Sequence, residues 1–181
     1  MKKPVLFYFL LIYFIPTFAQ EEIGYNTTDI AGEFRWYPAG TITALHIAMN
    51  AKIHHSVFVT FGYNKADHKS WGEHESEKGG GWGGSLGYRY YFRPFPHKFF
   101  IGARTGLWKL KIDWKEGTES GTTNTWTVQP TFEIGYTFFI NDQAILTPFI
   151  ANGAEINIKT EGEEVGHGFI TLVGICVGFR F

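Results

Sequence analysis

From residue 28 to residue 181 apolar and polar side chains alternate with a period of two, and no other feature constrains the fold of this chain as strongly. In one run Trp126, Val128, Pro130, Phe132, Ile134, Tyr136 and Phe138 share a face, against Thr127, Gln129, Thr131, Glu133, Gly135 and Thr137. In a second, Trp82, Leu86, Tyr88, Tyr90 and Phe92 oppose Gly83, Ser85, Gly87, Arg89, Tyr91 and Arg93. The last run sets Phe169, Thr171, Val173, Ile175, Val177, Phe179 and Phe181 against Gly168, Ile170, Leu172, Gly174, Cys176, Gly178 and Arg180. Further runs at Thr28–Tyr37, Thr41–Ile53, Ser56–Asn64, Lys98–Trp114 and Ala144–Ile158 bring the number of predicted strands to eight.

A chain built this way averages to neutral hydropathy while presenting a fully apolar face. The mean hydropathy is −0.10, although 44% of residues are hydrophobic and 18% aromatic. Beyond Ile15 no apolar run approaches the roughly 20 residues of a membrane helix, which excludes a helical membrane protein.

The connections alternate too. Short turns at His54-His55, Pro94–His97 and Asn141–Gln143 alternate with longer polar loops at Lys65–Gly80, Lys115–Thr123 and Lys159–Gly166. Only Pro38-Ala39-Gly40 is short on the long-loop side. The pattern predicts an all-β fold, an eight-stranded antiparallel up-and-down transmembrane β-barrel with both termini on the short-turn side.

Alternation alone does not say which face is inside; three features place the apolar face outward. The polar face is rich in small residues, at Gly83, Ser85, Gly87, Thr131, Gly135, Gly174 and Gly178, which suit the crowded interior of a small barrel. The aromatics sort by depth. Trp36, Trp71, Trp82, Trp108, Trp114 and Trp126 fall toward the long loops, and Phe92, Phe95, Phe99, Phe138, Phe179 and Phe181 toward the short turns, as two interfacial girdles would. Third, a final strand that ends in Phe179-Arg180-Phe181 resembles the C-terminal signal that outer-membrane barrels present to their assembly machinery. Gly174 and Cys176 depart from it, standing where that signal carries a polar residue and a glycine. With eight strands, the chain is similar in plan to the small OmpA/OmpX-type barrels of Gram-negative bacteria. That resemblance implies a monomer in the cell outer membrane, with outer-membrane lipids, lipopolysaccharide and the barrel-assembly machinery as partners.

The N-terminus agrees with export. Lys2 and Lys3, the apolar stretch Val5–Ile15 and Thr17-Phe18-Ala19 have the order of a secretory signal peptide over 1–19, leaving 20–181 as the barrel domain. Loss of the two lysines takes the formal charge from −1 to about −3, so nothing points to nucleic acid, which calls for a basic face. Cys176 is the single cysteine, so there is no internal disulfide, and its apolar run marks it as a small packing residue.

Facing inward on this phase are Glu33, Arg35, His46, Asn50, Arg89, Arg104, Gln129, Glu133 and Glu155. Adjacent hairpins bring Arg104 diagonally near Arg89 and Glu133, which predicts an interior ion-pair cluster of Arg89, Arg104 and Glu133, with Glu33 joining from the far wall. An outward arginine near the bilayer midplane would cost roughly 2–4 kcal/mol, which supports the phase of its strand. Two irregularities stand out. Pro130 and Pro148 predict bulges or locally lost pairing. In the fifth strand the apolar residues move from the odd positions Phe99, Ile101, Ala103 and Leu107 to the even positions Leu110, Ile112 and Trp114. That slip predicts a bulge near Leu107-Trp108 or a strand end that projects beyond the bilayer.

No motif carries catalysis. His68, Glu73, His74, Glu75 and Glu77, with His167 further on, match no closed metal-ligand spacing and are read as a solvated polar loop. His54-His55 reads as a periplasmic turn. Barrel lipid A deacylases resemble this chain in size and carry a His and a Ser two residues apart, but His167 is followed at that offset by Phe169, so the nucleophile is missing. Gly79-Gly80-Gly81 lacks the Lys-Ser/Thr of a phosphate loop. The sequence therefore predicts no enzyme, no cofactor and no metal site. Its leading functional reading is a structural or surface-interaction protein whose loops contact lipopolysaccharide, and the alternative is a channel for small solutes or hydrophobic ligands. The loop carboxylates Asp67, Glu73, Glu75, Glu77, Glu116, Glu119, Glu161, Glu163 and Glu164 keep the tips soluble or recruit divalent cations that bridge lipopolysaccharide.

Overall fold

Each alternating run becomes one strand of a sheet that closes on itself. The computed structural model describes residues 26–51, 53–69, 74–94, 96–166 and 168–181. The signal peptide over 1–19 lies outside the described residues, as do Trp71, Glu73, Phe95 and His167. The strands are β1 Thr27–Tyr37, β2 Gly40–Ala51, β3 His55–Lys69, β4 Ser76–Tyr91, β5 Lys98–Glu116, β6 Glu119–Phe139, β7 Ala144–Glu161 and β8 Gly168–Arg180. They form a closed barrel in sequence order, each antiparallel to its neighbours, with β1 pairing β8 from Asp29↔Arg180 to Trp36↔Val173.

The phase is the one the alternation predicts. Phe132 is 77% exposed while its neighbour Glu133 is 3% exposed, and Leu86, Tyr88 and Ile134 also face outward. Such a continuous exposed apolar belt is far larger than a soluble protein tolerates and fits the hydrocarbon of a bilayer. Inside, small residues make room for rings. A Cβ on Gly87 would come within 2.1 Å of Phe58, and one on Gly174 within 2.3 Å of Phe149.

The structure corrects the sequence reading at the outer end. The stretches read as long loops are mostly strand: Lys65–Lys69 pairs with Ser76–Gly80, and β7 continues to Glu161. Lys115 and Glu116 pair with Ser120 and Glu119 around a two-residue turn, with Gly117 at φ 55°. Glycine at the first turn position is the requirement of a tight two-residue hairpin. The barrel wall therefore extends past the membrane as ordered sheet instead of ending in coil.

No bulge interrupts β5 near Leu107-Trp108; its ladders with β4 and β6 run without a shift. Instead the inside changes character. Trp108, Leu110 and Ile112 are buried in the lumen, while Lys109, Lys111 and Asp113 face out. Above the bilayer the outward face meets water, so the apolar side chains turn inward as in a soluble barrel. Trp108 and Trp114 consequently leave the predicted outer girdle, whose described outward members are Trp36, Trp82 and Trp126. The bulge of the sheet lies between Trp126 and Thr127 in the β6–β7 ladder. In that ladder Gln129 and Pro130 have no partner, and pairing stops again across Tyr136, Thr137, Thr147 and Pro148, so both prolines open the same seam.

The wall is uneven in height. At about 3.4 Å per residue and a tilt near 40°, the 19 residues of β5 rise roughly 50 Å, whereas the 11 of β1 rise about 30 Å. An apolar band is about 25 Å tall. The β1–β2 turn thus ends at the outer membrane surface, and the β5–β6 hairpin stands about 20 Å above it.

Candidate functional site

Midway up the lumen, inward charged side chains of β1, β4, β5 and β6 converge. Arg104 on β5 crosses the barrel and donates from both terminal nitrogens to Glu33 on β1, at 2.6 and 3.1 Å. Its Nη2 also lies 3.0 Å from Glu133 Oε2 on β6. Arg89 on β4 donates from Nε to Glu133 Oε1 at 2.6 Å. The local reason is Gly102, which is the cross-strand neighbour of both Arg89 and Glu133. A Cβ there would sit 3.1 Å from Glu133 Cγ and 3.2 Å from Arg89 Cγ, so the missing side chain lets acid and base meet across β5.

Glu33 collects further partners. Arg35 Nε lies 2.9 Å away as a charge contact without hydrogen-bond alignment. His46 Nδ1 donates at 3.0 Å, and the Cys176 thiol donates at 3.3 Å. Phenyl faces line the charges: Phe58 lies 4.7 Å from each of the Arg89 and Arg104 guanidinium carbons, Phe100 4.5 Å from Arg89, and Phe149 5.1 Å from Arg104. A guanidinium over an aromatic face recovers part of the solvation it loses on burial. All five charged groups are buried, so this layer is a plug of guanidinium, carboxylate and ring.

Among the described residues, Glu33, His46 and Cys176 bring three possible metal-ligand atoms within 4.8 Å of one another. A cation there would have to displace the arginines that already hold Glu33, so the donor set does not fit a metal. At the short-turn end a second clamp closes the β1–β8 seam. Arg180 donates to both oxygens of Asp29 at 2.6 and 2.7 Å and to the Pro96 carbonyl at 2.6 Å, while Asn50 donates to Asp29 at 3.0 Å. Phe179 and Phe181 flank it on the outside, both exposed.

The outer rim holds a cluster that the sequence reading had left to a solvated loop. Glu77 is fully buried at the top of β4, above the outward Trp82. It accepts from His68 Nδ1 at 2.9 Å, from the Gly166 amide at 3.0 Å, and from the His74 ring and amide at 3.1 and 3.2 Å. His74 stacks on Trp114 with ring centroids 4.5 Å apart. Burial pushes the Glu77 carboxyl up, but the donations from His68, Gly166 and His74 outweigh it and bring it down to about 2. The Gly166 bond, with Asn157 Nδ2 donating to the Val165 carbonyl at 3.0 Å, folds the β7–β8 connection back over the opening. Glu75, by contrast, is exposed and accepts from the Gly117 amide at 3.2 Å.

Reasoning from the sequence missed Asp29, Arg180 and the partnership of His68 with Glu77. The first two were legible as charged residues on the inward phase of the terminal strands. The third pairs directly across β3 and β4, His68↔Glu77, once those strands are extended past Asn64 and before Trp82.

No family model and no curated protein matches this chain. Solved structures do resemble it. The N-terminal β-barrel domain of Pseudomonas aeruginosa OprF matches at TM-score 0.52 and 13% identity, over 87% of this chain and 99% of that one. A major outer membrane protein from Thermus thermophilus matches at TM-score 0.55 and 10% identity, over 86% and 99%. At such identities the likeness is one of fold, and it is the fold of eight-stranded outer-membrane barrels.

Proposed function

We propose that this chain is a monomeric outer-membrane protein that works at the cell surface through its projecting wall, and that it is neither a pore nor an enzyme. The observation that carries this reading is the contrast between a filled interior and an ordered exterior. The lumen is occupied at mid-height by the Glu33, Arg104, Glu133 and Arg89 plug, while the β3–β7 hairpins rise above the bilayer as paired sheet. In this reading the ion pairs fix register and seal the lumen, residues 1–19 direct export and are removed after Ala19, and Phe179 and Phe181 engage the assembly machinery.

Lipopolysaccharide is the proposed partner. The raised hairpins present Lys109, Lys111, Asp113, Glu116, Glu119 and Lys159, all exposed, beside the outer leaflet. Lysines meet lipid phosphates directly, and carboxylates meet them through shared divalent cations. The test is thermal unfolding of the purified barrel in lipopolysaccharide micelles, with calcium and with chelator. Stability should rise with calcium and fall with chelator, and an identical midpoint in both would remove the partner. The channel alternative is tested separately by planar-bilayer conductance: a sealed plug gives no steady unitary current, and ohmic steps that disappear in Arg104→Met would establish a conducting path instead.

A further inference from the structure

The lipid-facing wall carries a trough across four strands. Its lower row is Tyr90, Ile101, Ile134 and Ile150, direct cross-strand neighbours on β4, β5, β6 and β7. The row above it is Tyr88, Ala103, Phe132 and Asn152. Ala103 is the small member between the rings of Tyr88 and Phe132, and these rows line a groove of about 510 Å³. The rows lie two residues apart along each strand, roughly 7 Å, which admits one acyl chain. Because the strands are tilted, the trough climbs. At one end Tyr90 lies two residues from Phe92 of the lower girdle and beside the His54-His55 turn, with the His54 ring stacked on it at 5.5 Å. At the other end Asn152 pairs with Phe132, which is six residues from Trp126 and six from Phe138, at the middle of the bilayer. Three strand spacings of about 4.8 Å separate the two ends, roughly 15 Å.

Asn152 is out of place at that depth. Ile150, Ala154, Ile156 and Ile158 share its outward face of β7. Its Oδ1 accepts from the Thr171 hydroxyl on β8 at 2.8 Å, which turns Nδ2 away from β8, toward Phe132 and the trough. No described group accepts from Nδ2. Acyl chains offer no acceptor, and the ester oxygens of lipids stay at the interfaces. An amide donor facing hydrocarbon is strongly disfavoured, and polar side chains at this depth mark functional sites. The trough therefore fits a chain that enters at the lower interface and carries an oxygen partway along its length.

We propose that this trough binds a long-chain fatty acid with an oxygen function near the middle of its chain. The carboxylate sits at the level of the His54-His55 turn, the chain passes over Ile101 and Ala103, and the mid-chain oxygen accepts from Asn152 Nδ2. A groove one chain wide selects a single-chain acid over a two-chain lipid. The site goes beyond the surface-interaction reading, since it uses the membrane-facing wall and not the raised hairpins.

The test uses the full barrel, labelled with ¹⁵N-asparagine, in nanodiscs of a saturated phosphatidylcholine. Ricinoleate and oleate, which differ only by a mid-chain hydroxyl, are titrated at neutral pH, and the Asn152 side-chain amide signals are followed. Ricinoleate should move them saturably and oleate should not. Ala103→Leu, which fills the trough without touching a polar group, should raise the midpoint at least tenfold, whereas Val59→Leu on β3, outside the trough, should leave it unchanged. A second readout covers Asn152 itself. Ricinoleate should raise the thermal midpoint of the unsubstituted barrel above its value in oleate, and Asn152→Leu should unfold at the same temperature in both. Heat-dependent gel mobility verifies that each variant is a closed barrel. An equal response to the two acids, no response to either, or a midpoint that Ala103→Leu leaves unchanged would overturn the proposal. So would a larger shift from a phosphatidylcholine carrying the ricinoleoyl chain, at equal chain content, which makes the occupant a membrane lipid. A shift that follows the protein-to-lipid ratio alone makes it a second copy of this chain and overturns the proposal as well.

Discussion

Two storeys of the same lumen are built on opposite rules. In the lower one Glu33, Arg35, Arg89, Arg104 and Glu133 fill the barrel with charge; in the upper one Trp108, Leu110 and Ile112 bring hydrocarbon inside, with the buried Glu77 and His68 at the rim. The strand is continuous between them, and β5 contributes Arg104 to one and Trp108 to the other. What changes is the medium outside. Lipid against the wall takes the apolar side chains outward and leaves the polar ones to satisfy each other inside. Water against the wall reverses the preference.

The largest expected effect breaks the lower storey. Arg104→Met leaves Glu33 short of its bidentate partner and Glu133 with Arg89 alone, and should cost roughly 3–5 kcal/mol in urea unfolding from micelles. Adding Glu33→Gln to that variant should restore part of the loss, because the uncompensated charge is removed. In the upper storey, Trp108→Ala leaves a ring-sized void under the rim and should cost about 3 kcal/mol in the same assay. If it cost nothing while Arg104→Met cost the full amount, the upper storey would be ornament and not core.

The third effect separates the storeys by pH. Glu77 has its folded value lowered from 4.5 to about 2, so its contribution is complete above about 4.5 and is lost as pH falls toward 2. The rim should therefore loosen over that window, read by the indole ¹⁵N–¹H signal of Trp114 against the His74 ring, while the wall below it stays paired. A rim signal unchanged down to pH 2 would detach Glu77 from rim order. Smallest of all, Glu75→Ala removes one exposed bond to Gly117 and should change stability by less than about 0.5 kcal/mol.

The lower storey was readable in advance because one rule, lipid outside, governs every strand there. Alternation placed Arg89, Arg104 and Glu133 on the inner face, and small residues such as Gly87 and Gly174 marked that face as the crowded interior. The upper storey was not readable by that rule. Trp108, Leu110 and Ile112 are apolar residues on the inner phase, which looks like a slipped register to anyone assuming lipid along the whole strand. Lys109, Lys111 and Asp113 between them were the available signal that the outer medium had changed. Polar, glycine-rich segments such as Lys65–Gly80 read as coil for a related reason: outside the membrane a strand needs no apolar outward residues, and its pairing is carried by backbone hydrogen bonds that composition does not reveal.

The interrupted seam between β6 and β7 gives the barrel a place where it should come apart. Near Pro130 and again near Pro148 the two strands have no rungs, whereas β7 and β8 are joined from Ala144↔Phe179 to Glu155↔Gly168. Pulled from its C-terminal end by a cantilever, the molecule should release β7 and β8 together as one hairpin, in a single step, before β6 yields. The same fault line makes that hairpin a natural unit to dock last when the cylinder closes.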